Sequence, residues 1–377
     1  MKILTIVGAR PQIIKSAALS RAVRKWNEDH SGKEVVEDVL HTGQHYDERM
    51  SGVFYREMGM REPTFNLGVG GGSHAYQTGE MMKGIEDAVK RGGYDVMVVY
   101  GDTNSTLAGA LVAAKEHIPL VHIEAGLRSG NMRMPEEVNR IVTDSVSDLL
   151  FTPTERGLAN LEKEGLTKRS KVWKCGDVML DNSLYYRETL DKNPRCAEEM
   201  GLSEYGDEFV LATVHRAQNT DDDERLKGIM VALEALSKER TVLLPLHPRT
   251  RNALARIGMV CETDKEGREW LNGIRVLPPA GYLEMIWLES HAKVVVTDSG
   301  GVQKEAYYFG CPSVVLREET EWVENVEAGV SILSGTRKED VLKATEQMMK
   351  LEGAAYPPIY GDGHAAEFIL ARMVENI

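Results

Sequence analysis

Short unbroken runs of apolar, largely β-branched residues recur along the chain, each followed by a longer stretch whose apolar positions have helical spacing. In the first half the runs fall at residues 3–7, 35–41, 96–100, 120–123, 149–151 and 172–175. In the second half they fall at 209–213, 242–246, 274–277, 294–297 and 313–316. Runs without polar alternation, separated by helices, predict parallel strands covered on both faces. So many strands exceed one ordinary open sheet. The expectation is an α/β chain of two doubly wound, Rossmann-like domains, residues 1–176 and 177–356. A C-terminal helix within 357–377, after Pro357 and Pro358, is expected to cross back onto the first domain.

The length of 377 residues suits two such domains. The net charge of −13 and the lack of a basic stripe argue against nucleic acid or an anionic membrane as main partner, since both need clustered cations. An anionic small molecule stays compatible, because a few converging cations suffice. The four cysteines are scattered without a C-x-x-C, which predicts reduced thiols in a cytoplasmic protein. No apolar run approaches the ~20 residues that span a bilayer, and the opening MKILTIVG reads as a strand and not as a signal segment.

Ligands of open parallel sheets bind at the carboxyl ends of strands, so the residues just after each run carry the functional information. Gly8, Ala9 and Arg10 follow the first; Gly101, Asp102 and Thr103 follow 96–100; Glu124, Ala125 and Gly126 follow 120–123. In the second half His215 and Arg216, His247 and Arg249, and Asp298, Ser299, Gly300 and Gly301 take the same place. Together they predict a cleft between two facing domains.

DSGGVQKE at 298–305 joins a strand to a helix through two glycines, so free N–H groups and the positive helix end can meet a phosphate. Glu305 then suits a ribose. The plainer reading is a glycine turn with Ser299 as a helix cap. The motif is neither a Walker loop nor G-x-G-x-x-G, which disfavours ATP and NAD. Arg10 suits a pyrophosphate through its planar fork, with Lys15 early in the same helix. Most acids of so acidic a chain are solvated, but Asp102 and Glu124 directly follow buried strands. Glu136 sits at a helix start, where a capping role competes. His122-x-Glu124 matches half of a zinc deaminase pattern without its P-C-x-x-C partner. No metal site and no cofactor are expected.

Several blocks resemble the non-hydrolysing UDP-N-acetylglucosamine 2-epimerase family: GARPQ at 8–12, YGDTNSTLAG at 100–109, HIEAGLRS at 122–129 and MPEEVNR at 134–140. VHRAQNTDD at 214–222, LPLHPRT at 244–250 and DSGGVQKEA at 298–306 extend the likeness, in order, over nearly the whole chain. The resemblance implies a GT-B-like fold, a UDP-sugar substrate and a homodimer. It implies inversion at C2 by anti elimination of UDP through a 2-acetamidoglucal, then re-addition, most simply UDP-GlcNAc to UDP-ManNAc. Asp102, Glu124 and Glu136 become the carboxylates in play and His215 the residue at the leaving diphosphate. Arg10, Ser299, Gly300 and Gly301 fall to the UDP phosphates, Glu305 to the ribose, and Lys15 and His247 to the same site.

Four features depart from the family pattern: Gln12 in place of a common acid, Met285 in place of an aromatic, residues 131–135, and Trp322 in place of a substrate-contacting arginine. They are similar to a subgroup acting on UDP-2,3-diacetamido-2,3-dideoxyglucuronate, whose carboxylate needs a cation. Arg133 is the first candidate and Arg128 the second. Tyr46, after Thr42, Gly43, Gln44 and His45, stands where an arginine is usual, which argues against allosteric activation. A GT-B glycosyltransferase, a hydrolytic epimerase and a non-catalytic nucleotide-sugar sensor are the alternatives.

Overall fold

Every side chain of the run Val96–Tyr100 is fully buried, and alternate residues enter different cores. Met97 and Val99 join Leu4, Ile6 and Leu40 beneath the helices His74–Gly92 and Asn104–Glu116. Val96, Val98 and Tyr100 join Ile3, Val121 and Phe151 beneath the helices Arg10–Asp29 and Ala365–Asn376. This two-sided burial is what an unbroken apolar strand requires. The structure is a computed structural model, and it describes residues 1–43, 55, 58–193, 195–206, 208–351 and 353–377.

The chain divides into two compact units, Met1–Asn182 with Pro358–Ile377, and Ser183–Pro357. The first crossing lies inside the helix Val178–Lys192. Unit 1 holds strands β1 (Lys2–Val7), β2 (Val36–His41), β3 (Phe65–Asn66), β4 (Val96–Tyr100), β5 (Leu120–Ile123), β6 (Leu149–Thr152) and β7 (Lys171–Lys174). They form one parallel sheet in the order β3-β2-β1-β4-β5-β6-β7. The C-terminal helix is fixed on this unit by the Asp181 carboxylate, which accepts the N–H groups of Ala365 (3.1 Å) and Ala366 (2.7 Å) at its first turn.

Unit 2 holds β8 (Val210–Thr213), β9 (Val242–Pro245), β10 (Glu262–Thr263), β11 (Glu269–Leu271), β12 (Ile274–Leu277), β13 (Val294–Thr297), β14 (Ser313–Val315) and β15 (Ser331–Leu333). Their order is β10-β11-β12-β9-β8-β13-β14-β15. The edge departs from the all-parallel expectation, because β10, β11 and β12 pair antiparallel. The cause is a tight turn in which Asp264 Oδ1 accepts the N–H groups of Glu266 and Arg268, both at 2.9 Å. No helix among the described residues is long and apolar enough to cross a membrane.

The parallel part of each sheet reverses its strand order once, between β1 and β4 in unit 1 and between β8 and β13 in unit 2. Those two switch points are where ligands of this architecture bind.

Candidate active site

At the switch point of unit 1, Gly8 follows β1 with no room for a side chain: a Cβ there would lie 2.0 Å from Ser105 Oγ and 2.2 Å from Thr42 Oγ1. Gln12 is buried in the next turn. Its carbonyl accepts the N–H groups of Gly8 (2.9 Å) and Ala9 (3.1 Å), and its amide donates to the Tyr100 carbonyl (2.8 Å) and Thr106 Oγ1 (2.9 Å). Gln12 therefore fastens the loop bearing Arg10 to the loop bearing Asp102. An ionised acid in its place would turn an acceptor toward the Tyr100 carbonyl.

Lys15 and Glu124 form an ion pair across 109 residues of sequence, each side chain 11% exposed. Gly101 passes directly against it, since a Cβ there would sit 3.0 Å from Glu124 Oε2. Glu124 itself has a φ of +72°, a left-handed conformation that costs a non-glycine residue free energy and gathers at functional sites. Asp102 follows Gly101 and accepts from Arg140 Nε (2.9 Å) and Nη2 (2.6 Å), with about a third of its side chain still accessible. Burial pushes the Asp102 carboxyl above the ordinary range; the Glu124 charge adds to this, and Arg140 and Lys15 oppose it.

Adjacent acids on the helix Pro135–Val146 have opposite surroundings, because one residue turns the helix by about 100°. Glu137 is 1% exposed and accepts the N–H groups of Ser129 and Gly130. Burial works against its charge, but these bonds and Arg140 hold its carboxyl below the usual range. Glu136 and Arg133 are exposed at the start of the helix. Arg128 is committed elsewhere, to Asp144 and Glu164, both at 2.7 Å.

At the switch point of unit 2, buried Asp298 gathers the loop after β8: it accepts the N–H groups of His215 and Arg216, both at 3.0 Å, and Asn219 Nδ2 at 3.1 Å. Ser299 caps the helix Gly300–Tyr308. At Gly300 a Cβ would lie 2.1 Å from Glu321 Oε1 and 3.3 Å from Arg216 Nη2, so the helix start is open only because it bears no side chain. Glu305 folds back over that turn, with its Oε2 3.8 Å from the position of a Gly301 Cβ and Ser299 Oγ 3.9 Å from it. The His215 and His247 rings lie 5.7 Å apart. Burial lowers the His215 pKa, with His247 and Arg216 adding to it and Asp298 opposing. His247 Nδ1 accepts the Arg249 N–H at 3.1 Å, which leaves the ring proton to Nε2.

Arg216 and Asp298 stand out in the sequence only as strand-end residues without a role, and Arg140 and Glu321, the latter 3.6 Å from Arg216, do not stand out as site residues at all. Arg140 carried a usable signal, closing the block that contains Glu136 at helical spacing. Trp322 is buried, with Lys304 Nζ 4.5 Å from its ring centroid, a cation–π contact inside unit 2. Gln44, His45 and Tyr46 lie outside the described residues.

The profile of the UDP-N-acetylglucosamine 2-epimerase family matches residues 28–374. A UDP-2,3-diacetamido-2,3-dideoxy-D-glucuronate 2-epimerase of Pseudomonas aeruginosa is 44% identical, covering 98% of both chains. A UDP-N-acetylglucosamine 2-epimerase of Methanocaldococcus jannaschii is 38% identical, again over 98% of both. The crystal structure of the M. jannaschii UDP-GlcNAc 2-epimerase with UDP-GlcNAc and UDP superimposes with a TM-score of 0.84 at 37% identity, over 100% of each chain. The Neisseria meningitidis UDP-GlcNAc 2-epimerase bound to UDP-GlcNAc gives 0.83 at 26%, also over 100% of each. With its two Rossmann-like, GT-B-like units, the chain belongs to the UDP-N-acetylglucosamine 2-epimerase family and is an isomerase of the epimerase kind.

Proposed function

We propose that this chain inverts C2 of a UDP-N-acetyl sugar, UDP-GlcNAc to UDP-ManNAc, by eliminating and re-adding UDP. The carrying observation is the placement of Asp102 beside Glu124 at one switch point, each held by its own cation, Arg140 and Lys15. The C2 proton has no adjacent carbonyl to acidify it. Departure of UDP supplies the driving change: the C1–O bond breaks toward the diphosphate, a carboxylate takes the C2 proton, and the C–H electrons become the C1–C2 double bond. Re-addition of UDP to C1 with protonation of C2 on the other face completes the inversion. Two faces require two acid–base groups, drawn from Asp102, Glu124 and Glu136.

In unit 2, Ser299, Gly300 and Gly301 offer the helix start to the diphosphate, Glu305 takes the ribose, and His247 belongs to the same cradle. His215, held largely neutral, donates to the departing phosphate. Arg10 and Lys15 complete the cation set. The family reading also carries a homodimer, tested by sedimentation, and a cytoplasmic location. NMR in D₂O tests the reaction: deuterium at C2 with a new manno-type signal is expected. UDP accumulating with free sugar would indicate hydrolysis, transfer to an acceptor a glycosyltransferase, and UDP binding without exchange a sensor.

The UDP contact gives a separate prediction. Gly300→Ala forces Glu321 away from Arg216 and crowds the helix start. UDP affinity measured by calorimetry should fall about 10-fold, the loss of roughly one good charge-assisted hydrogen bond.

The uronate is a second reading, favoured by the relative at 44% identity. It assigns exposed Arg133 to the extra carboxylate. Arg133→Ala should then lower kcat/KM for UDP-2,3-diacetamidoglucuronate by about 10–100-fold and spare UDP-GlcNAc, in line with the roughly 1.5–3 kcal/mol of a charged hydrogen bond. Equal loss on both substrates would remove this reading.

A further inference from the structure

We infer that His122 is a positioning residue, a double hydrogen-bond donor that holds the loops of Asp102 and Glu124 in one fixed relation. The inference rests on reading those carboxylates as acid–base groups. His122 is the third residue of β5 and fully buried, among Leu120, Val121 and Ile123. Its Nδ1 lies 2.7 Å from Asp144 Oδ1 and its Nε2 2.8 Å from the carbonyl oxygen of Gly101.

A carbonyl oxygen and an ionised carboxylate are both acceptors only, so both bonds form together only when each ring nitrogen carries a proton. Burial works against the Asp144 charge, but His122 and Arg128 outweigh it and hold the carboxyl below its ordinary range. The other oxygen of Asp144 accepts the Gly126 N–H at 3.1 Å and meets Arg128 Nη2 at 2.7 Å. The network therefore ends on the residue before Asp102 and on the second residue after Glu124.

Those loops need holding. Gly101, Glu124 and Gly126 all have positive φ, +61°, +72° and +80°. The two glycines take this conformation freely and leave the turns without stiffness of their own, while Glu124 holds it only where its surroundings over-determine it. An apolar residue at this strand position would satisfy packing without the desolvation that a buried charged network costs. The polar alternative places its two donors at the two loops that carry the carboxylates. This gives the HIEAGLRS block a physical content in which the histidine binds no metal.

The test uses the full-length His122→Gln variant, whose amide places an acceptor against one of the two acceptor partners. We expect kcat for C2 exchange to fall about 10²-fold, as for a displacement of about 1 Å at the reacting groups. KM and the UDP Kd should stay within about twofold. In the wild type, ¹⁵N-histidine NMR should show two exchange-protected ring N–H protons for His122, a readout that holds even if the variant does not fold. An unchanged kcat, a parallel loss of UDP affinity, or a single ring N–H would overturn the proposal. The proton count needs no substrate. A wild type without C2 exchange would therefore count against the epimerase reading, while two protected protons would still support the brace.

Discussion

Asp102→Asn should lower the rate of C2 exchange by about 10²–10⁴-fold, the range of a lost general acid or base, with little change in UDP affinity. Asparagine keeps the shape of the side chain and still accepts from Arg140, so the two bonds at 2.9 and 2.6 Å need not both be lost. What it cannot do is carry a proton. Burial and the neighbouring Glu124 charge raise the Asp102 pKa against Arg140 and Lys15, which strengthens it as a base near neutral pH and lets it return the proton. Because Asp102 is not among the residues proposed to hold UDP, calorimetry with UDP should report a bound, folded variant. Deuterium incorporation separates the steps, since a variant that binds UDP-sugar without exchange has lost proton transfer alone. Retention of more than about a tenth of the rate would remove Asp102 from the acid–base set. Glu124→Gln should be equally inactive but also less stable, since it leaves Lys15, 11% exposed, without its charged partner.

The strand ends were the legible part of the sequence, because a buried parallel strand has to be apolar throughout, and the polar residues and glycines just past its end stand out against it. Among the described residues, β3, β10, β11 and β15 do not stand out in this way: β3 and β10 have two residues each and β11 and β15 three, whereas the equally short β14 is extended into a longer apolar run by Leu316. β10 is also exposed on an antiparallel edge. The site was legible as residue types but not as pairs. Nothing local couples Lys15 to Glu124 or Asp102 to Arg140, whose partners are 109 and 38 positions away. Nor does the sequence tell Glu136 from Glu137, since both suit a helix start. The rotation of the helix decides that Glu137 is sealed in, tying down Ser129 and Gly130, while Glu136 faces out. Trp322, which stands where the family pattern has an arginine, packs inside unit 2 against Lys304, a contact that the sequence does not show.

The largest effect on stability is expected at Gly126, where two requirements coincide. Its φ is +80°, which costs an L residue about 1–2 kcal/mol. A Cβ would also lie 2.4 Å from the carbonyl oxygen of Gly157 and 2.9 Å from that carbonyl carbon, so backbone and not a pliant side chain stands in the way. Neither strand of chain is free to retreat. The Gly126 N–H is bound to Asp144 at 3.1 Å and its carbonyl accepts Asn160 Nδ2 at 2.9 Å. Gly157 is held in the first turn of the helix Glu155–Lys163 by the Thr154 cap. Gly126→Ala should therefore cost about 3 kcal/mol or more, combining the left-handed penalty with an overpacking strain of about 1–3 kcal/mol. Gly165→Ala is the matched control: φ is +75° but nothing lies within 4 Å of its Cβ. It should cost only the conformational part, about 1–2 kcal/mol. Urea midpoints measure both. A much larger drop at Gly126 is expected, and equal drops would mean that the backbone conformation alone, without the Gly157 contact, requires glycine there.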